Sequence, residues 1–341
     1  MRTLVVGDLH IGIKNNSLTW LESQLEFFDK QIFETIQNKE IKRVIFLGDI
    51  YDIRYSINQQ VGIELQKKVR QMLTQFPDVH FFMIAGNHDY YSPLEEFAEY
   101  NLYNMLFTPE FLSVHKNLTI VNSDPLITED GCLMLPWYWT ENTDHIDELL
   151  YGYDFGNEVK AIFCHTDLTS WPGARIASFK GTPIYSGHIH FIVEDALCNL
   201  HNIGAAVSLT FNDVNQDRFI YILEDYKVVE KIKNVTTPRF IRIYNEDIFN
   251  VYDDIFENSF VQLCINKKYI EQPKYIEQIK NLKNTYVNSN IRIHLIDDDE
   301  HNLQENSDIN FSPNINEYIS NNIPESLSNK FNIIKERYNT K

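Results

Sequence analysis

The chain has 341 residues, of which 43% are hydrophobic and 13% aromatic, enough apolar matter for one large domain and a smaller one. Its formal net charge of −18 speaks against a protein that grips polyanions with its own global charge, because nucleic-acid binders present basic faces that release counterions. No stretch approaches the roughly 20 apolar residues of a membrane span, and Met1-Arg2-Thr3-Leu4 leads straight into a strand, so the expectation is a cytoplasmic protein with no membrane contact.

In chain order, the apolar run Leu4-Val5-Val6 precedes Gly7-Asp8-Leu9-His10. Leu18, Leu21, Leu25, Phe28, Ile32, Phe33 and Ile36 then recur at helical spacing over 18–38, with Ser17 placed to cap. Val44-Ile45-Phe46-Leu47 leads into Gly48-Asp49-Ile50-Tyr51-Asp52, and Val61, Leu65, Val69, Met72 and Leu73 predict a helix over 58–76. Phe81-Phe82-Met83-Ile84 leads into Gly86-Asn87-His88-Asp89. This βαβαβα alternation, continuing to about residue 106, predicts a parallel sheet. Strands at 118–122 and 131–135 and a helix near 142–150 follow. Strands near 159–164, 182–186, 190–195, 199–203 and 218–223 are assigned to a second sheet. In that stretch Ala161-Ile162-Phe163-Cys164 runs into His165, and Ile184-Tyr185-Ser186 into Gly187-His188-Ile189-His190.

Beyond Lys231 the character changes. Thr236-Thr237-Pro238 reads as a linker. Strands at 239–244, 260–265 and 291–295, with helices at 246–257 and 271–283, then make a small α+β cap domain over 236–296. Residues 297–313 read as an acidic flexible tether. In 314–341, Leu327, Phe331, Ile334 and Tyr338 have the spacing of an amphipathic helix, suited to a partner or to the chain's own cap. The division is thus 1–231, 236–296, 297–313 and 314–341.

Oxygen and imidazole ligands therefore recur where buried strands end, the place where open α/β sheets put their sites. Two divalent cations clamp the attacking and leaving oxygens of a phosphoester and lower the pKa of bound water. Carboxylate, imidazole and carboxamide ligands together suit Mn²⁺, Fe²⁺ or Zn²⁺ better than Mg²⁺. One carboxylate must bridge the pair, and Asp49, central in the series, is the natural bridge. Gly7, Gly48, Gly86 and Gly187 stand at the strand-to-loop switches, where positive φ or close backbone approach is easiest. Cys132, Cys164, Cys198 and Cys264 are scattered without zinc-finger spacing and read as reduced core residues.

The order GDxH, GDxxD, GNHD, an isolated His after a strand, then GHxH resembles the calcineurin-like metallophosphoesterase superfamily. Within it the chain most resembles the SbcD nuclease family, and its large tailed-phage branch above all, through Gly48–Arg54, Leu135-Pro136-Trp137 with Glu141-Asn142-Thr143, and Asn202-Ile203-Gly204 leading to Leu209-Thr210. The resemblance covers roughly residues 1–225. It implies an α/β fold: a metallophosphoesterase two-sheet sandwich flanked by helices. It implies one metal on Asp8, His10, Asp49 and His190 and another on Asp49, Asn87, His165 and His188, manganese being the expected ion. It also implies His88 as the group that protonates the leaving oxygen, with Asp52 orienting His88. Arg54 is a candidate phosphate contact, with a surface salt bridge as the alternative. The implied activity is cleavage of DNA phosphodiesters by a metal-activated hydroxide, exonucleolytic and endonucleolytic, in recombination and repair. The implied partners are DNA, an SbcC-like coiled-coil ATPase and a second copy of the chain, in the host cytoplasm if the chain is phage-encoded.

Two other readings use the same fold: a small-molecule or cyclic-nucleotide phosphodiesterase, and a scaffold without chemistry. The cap and the apolar tail favour the nuclease, and the complete ligand series disfavours the scaffold. Lys39, Lys42, Arg43, Lys67, Lys68 and Arg70 are a candidate basic patch. Trp137-Tyr138-Trp139 suits packing more than base stacking. Asp167 is a candidate carboxylate partner for His165, and Asp89 for His88. His80, His115, His145, His201, His294 and His301 lack partner motifs and read as ordinary surface or core residues.

Overall fold

The computed structural model describes residues 1–52, 54, 56–92, 99–137, 159–167, 181–195, 199–214, 216–256, 258–286 and 290–297. The expected helix near 142–150, Tyr138, Trp139, Cys198, the tether beyond Asp297 and the 314–341 segment lie outside them.

Four strands, β1 (Arg2–Val6), β2 (Arg43–Phe46), β3 (His80–Ile84) and β4 (Leu118–Val121), lie side by side in chain order and parallel. Strands β5 (Leu126–Ile127), β6 (Cys132–Leu135), β7 (Ala161–His165), β8 (Ile184–Gly187), β9 (Val193–Asp195) and β10 (Leu200–Asn202) form a second sheet in the order β5-β6-β7-β8-β10-β9. Here the sequence expectation needs correction. Strand β11 (Phe219–Glu224) pairs antiparallel with β1 and so completes the first sheet, not the second. It is followed by an unanticipated edge strand, β12 (Lys227–Lys233), whose alternating half-exposed pattern hides it from an apolar-run search.

The pleat explains the layering, since successive side chains on a strand face opposite ways. Val5, Ile45, Phe82 and Ile84 point into a core shared with Cys132, Met134, Phe163 and Tyr185 of the second sheet. Leu4, Val6, Val44, Phe46, Phe81 and Met83 face the helical layer, where Trp20, Leu21, Phe28, Ile32, Val61, Leu65 and Val69 lie. Both faces of these strands are buried, hence their unbroken apolar runs. The first helix spans Leu18–Phe27, widens to a π-helical turn over Phe28–Phe33 and ends as Glu34–Asn38. Ser17 stands at its N-cap but makes no side-chain cap bond. Asn58 does cap the Gln59–Gln75 helix, accepting from the backbone of Gln60 and Val61.

The last three strands, β13 (Arg239–Tyr244), β14 (Ser259–Asn266) and β15 (Asn290–Ile296), form a parallel sheet with the Pro273–Thr285 helix packed on it through Tyr275, Ile279 and Leu282. The expected helix over 246–257 is instead two short 3₁₀ turns, Asn245–Phe249 and Asp253–Ile255. Four acidic residues crowd Glu246, Asp247, Asp253 and Asp254, which favours turns over a continued helix. The junction at 234–237 is a fixed turn: the Asn234 side chain donates to the Ala206 carbonyl at 2.7 Å and accepts from the Thr236 and Thr237 amides. Trp20 stacks on Phe260 at 5.2 Å and on Phe240 at 5.9 Å, joining this sheet to the first helix.

Candidate metal centre

Every expected ligand sits just past, or at, the carboxyl end of a parallel strand: Asp8 and His10 after β1, Asp49 after β2, Asn87 after β3, His165 ending β7, His188 and His190 after β8. The chain turns back sharply at three of them. His10 (φ 48°), Asp49 (φ 47°) and His188 (φ 80°) occupy the left-handed region, where non-glycine residues cost about 1–3 kcal/mol each and cluster at functional sites. Two glycines allow the crowding. A Cβ on Gly48, itself at φ +113°, would lie 2.5 Å from His165 Nδ1, and one on Gly86 would lie 2.3 Å from both the backbone nitrogen and Oδ1 of Asp49.

The backbone fixes which ring nitrogens are bare. His165 Nδ1 donates to the Leu47 carbonyl at 2.8 Å, so its Nε2 presents a lone pair. His10 Nδ1 faces the Asp52 carboxylate at 3.1 Å, leaving its Nε2 3.1 Å from Nε2 of His190. Partners of this kind orient metal-binding imidazoles. Asp8, His10 and His190 form one group whose ligand atoms lie within 4.8 Å of one another, and Asp49, His165 and His188 form another. Asp49 Oδ2 lies 3.6 Å from His10 Nε2 and 3.3 Å from His165 Nε2, between the two groups. The inward atom of the Asn87 amide is 2.8 Å from His188 Nδ1, 2.9 Å from His165 Nε2 and 3.1 Å from Asp49 Oδ2. With oxygen inward, lone pairs converge in a way that a cation reconciles. Turned over, the amide satisfies them itself and its oxygen accepts from Arg54. The converging, largely buried donor set fits a pair of cations, which the seven expected ligands would hold.

Protonation follows the same crowding. Burial raises the Asp8 carboxyl to about 6, against the pull of His165. Burial also opposes the charge of Asp49, but His165, His10 and His88 outweigh it and hold that carboxyl well below the usual range. Burial lowers His165, yet Asp49 and Asp8 more than compensate and lift it to about 9. His188 and His190 fall to about 4, chiefly through burial.

A third triple, His10, Asp52 and His88, is also close, but the Asp52 carboxylate and the His88 Nδ1 already have partners. The Asp52 carboxylate bonds His10, and His88 Nδ1 donates to the Asp52 backbone carbonyl. This corrects the expected Asp52–His88 side-chain pair: the three-residue spacing puts Asp52 near both rings, and the left-handed turn at His10 brings that ring to the carboxylate. Burial lowers the His88 pKa, with Asp49 opposing. Arg54 lies with its guanidinium 5.9 Å over the Trp137 ring and beside Asn87, and no carboxylate among the described residues pairs with it. Trp137 itself is buried, which bears out packing for that residue.

A family model for calcineurin-like phosphoesterases matches residues 1–191, more than half of the chain. The chain belongs to that family. Metal-dependent phosphoester hydrolysis is accordingly the chemistry of this fold. No curated protein gives a significant match. Among solved structures, the nuclease MPE of Pseudomonas putida is 14% identical, with 67% of this chain and 87% of that chain covered and a TM-score of 0.31. Another solved chain is 10% identical, with 68% and 98% covered and a TM-score of 0.38.

Several supports of this phosphoesterase site carry no motif. Gln24, fully buried on the first helix, donates to the Leu9 carbonyl at 2.6 Å and also contacts that of His10. Asp89 is not a partner of His88. It accepts from the Gly86 amide at 2.8 Å, the Tyr51 amide at 3.2 Å and the Tyr103 hydroxyl at 3.1 Å, and burial raises it to about 7. Arg218, buried, donates to the His190 carbonyl and pairs with Asp213 at 2.7 Å. Asp167 acts on the charge of His188; His165 is oriented by Leu47 instead. A polar residue on an apolar helix face, as at Gln24, was the one available sequence signal.

Proposed function

We propose that this chain is the manganese-dependent DNA nuclease subunit of a recombination or repair machine, working with an SbcC-like coiled-coil ATPase and as a homodimer in the cytoplasm. The observation that carries this reading is the juxtaposition of His88 and Arg54, which pairs with no carboxylate among the described residues, with two ligand groups that both approach the Asp49 carboxylate. Bound ions would supply an activated water and neutralise charge on phosphorus. Arg54 would hold a non-bridging phosphate oxygen, and His88, its Nδ1–H held by the Asp52 carbonyl, would deliver the Nε2 proton of its doubly protonated form to the departing oxygen, a form that burial makes the minor one at neutral pH. Mixed nitrogen and oxygen donors favour manganese over magnesium. The DNA substrate rests on the resemblance of the loops around Asp49, Trp137 and Gly204 to the SbcD family.

Four of the six residues of the expected basic patch are spent in ion pairs. Lys39 pairs with Glu230, Arg43 with Asp130, Lys67 with Glu64 and Lys68 with Asp29. That observation favours the second reading, a small-molecule phosphodiesterase, unless a partner supplies the grip on DNA. Assaying purified protein with Mn²⁺ on linear DNA and on bis-p-nitrophenyl phosphate separates them: a nuclease degrades both, a small-substrate enzyme only the second. EDTA must abolish either activity.

A further inference from the structure

Next to His88 and Arg54 a cavity of about 790 Å³ opens, and among the described residues Tyr51, Ile57, Tyr91, Tyr100, Leu102 and Met105 give it an apolar and aromatic wall, beside polar Ser56, Asn101 and Asn104. It is larger than a single phosphate requires and lies within the range of organic-ligand pockets. Tyr91 (48% exposed), Tyr100 (57%) and Met105 (52%) leave large apolar surface open to solvent beside a charged centre. The two tyrosines are held together, since the Tyr91 amide donates to the Tyr100 carbonyl at 2.9 Å next to the antiparallel bridge between Tyr90 and Asn101. This paired backbone gives the aromatic wall a fixed base. Glu99 also lines the cavity and disfavours a second phosphate there.

We infer that this cavity receives an unpaired nucleobase of the nucleotide adjoining the phosphodiester that the metal centre cleaves. The inference rests on the nuclease reading and adds a subsite to it. Every base offers a π-face, so tyrosine walls bind without regard to sequence. A base inside a duplex reaches such a cavity only after unstacking and unpairing, a cost that a single strand or frayed end avoids. The subsite therefore selects unpaired ends through the base, while Arg54 and the metals hold the phosphate.

The test compares single-stranded oligonucleotides that carry either a normal nucleotide or an abasic site at one position, cleaved by full-length protein with Mn²⁺. Wild-type protein is expected to cut next to the abasic site at least tenfold less efficiently in kcat/KM. The Tyr91→Ala/Tyr100→Ala protein is expected to cut both substrates within about twofold of each other, and Tyr100→Phe to restore discrimination. Separately, with EDTA present, 2-aminopurine fluorescence in the oligonucleotide is expected to be quenched by wild-type protein and less by the double variant. Equal cleavage of both oligonucleotides by wild type, or discrimination that survives in the double variant, overturns the base pocket while leaving the nuclease reading intact. Hydrolysis of bis-p-nitrophenyl phosphate with no cleavage of any DNA overturns the nuclease reading and the pocket with it. Should the double variant not fold, Met105→Arg, which narrows the cavity from an exposed position, is read in the same way.

Discussion

At the scale of single residues, the site depends on which atoms are denied to hydrogen bonding. Leu47 and Asp52 occupy the Nδ1 sides of His165 and His10, so their Nε2 atoms turn inward to Asn87, Asp49 and His190, where a cation would sit. That these side chains would converge was readable from the sequence, because each follows an apolar run that ends in a glycine or leads directly into the candidate ligand. The partner of Asp52 was not readable, because linear spacing cannot say which of two neighbouring imidazoles a carboxylate meets. His88 is expected to act as a proton donor, so His88→Asn should lower kcat on DNA, whose leaving group is an alkoxide, by about 10²–10⁴-fold. The same variant should lose little on bis-p-nitrophenyl phosphate, whose phenolate leaves unaided; equal losses on both would contradict the role. Gly86→Ala tests the crowding: its Cβ collides with the Asp49 backbone, and overpacking of this kind costs about 1–3 kcal/mol. Calorimetric titration with Mn²⁺ is expected to find weaker binding together with a lower Tm.

At the scale of elements, the strands were legible wherever both faces are buried and obscure at the edges. β1, β2, β3 and β7 announce themselves as apolar runs. β12 does not, because one face meets solvent, and the partner of β11 is set by a pairing that joins residues more than 200 positions apart. The supports of the site share this non-local character, Arg218 on the β11 side clasping the loop of His190. Breaking a buried pair from one side typically costs about 3–5 kcal/mol, because the abandoned charge stays buried. Arg218→Met, which leaves Asp213 only the Leu209 and Thr210 amides at 2.7 and 2.8 Å, is expected to lose up to that order of stability in urea denaturation and to bind manganese more weakly. Unchanged stability would mean that Asp213 finds another partner.

At the scale of the whole molecule, metal and protons compete for the same atoms. Folded, metal-free protein holds protons on Asp89 up to about 7 and on His165 up to about 9, whereas the ordinary values are 3.8 and 6.5. His188 and His190, depressed to about 4, are half charged in the unfolded chain at pH 6.5 and become essentially neutral in both states only above about pH 7.5. From about pH 7.5 to 9 the folded state thus binds more protons than the unfolded one, through His165, and stability falls as pH rises. Thermal melts in EDTA should show Tm declining across this window, with the gap to the manganese-loaded protein widening, since bound metal replaces those protons. A flat or rising Tm in EDTA would contradict it. The net charge of −18 adds a further expectation: the chain alone binds DNA weakly and with a shallow salt dependence, and a basic partner steepens both.

Anomalous diffraction from crystals soaked in manganese addresses the dinuclear centre directly. Two peaks per chain are expected, one among Asp8, His10 and His190, the other among Asn87, His165 and His188, with Asp49 touching both. A single peak, no peak, or manganese bound elsewhere would contradict the two-metal assignment on which the proposed chemistry stands.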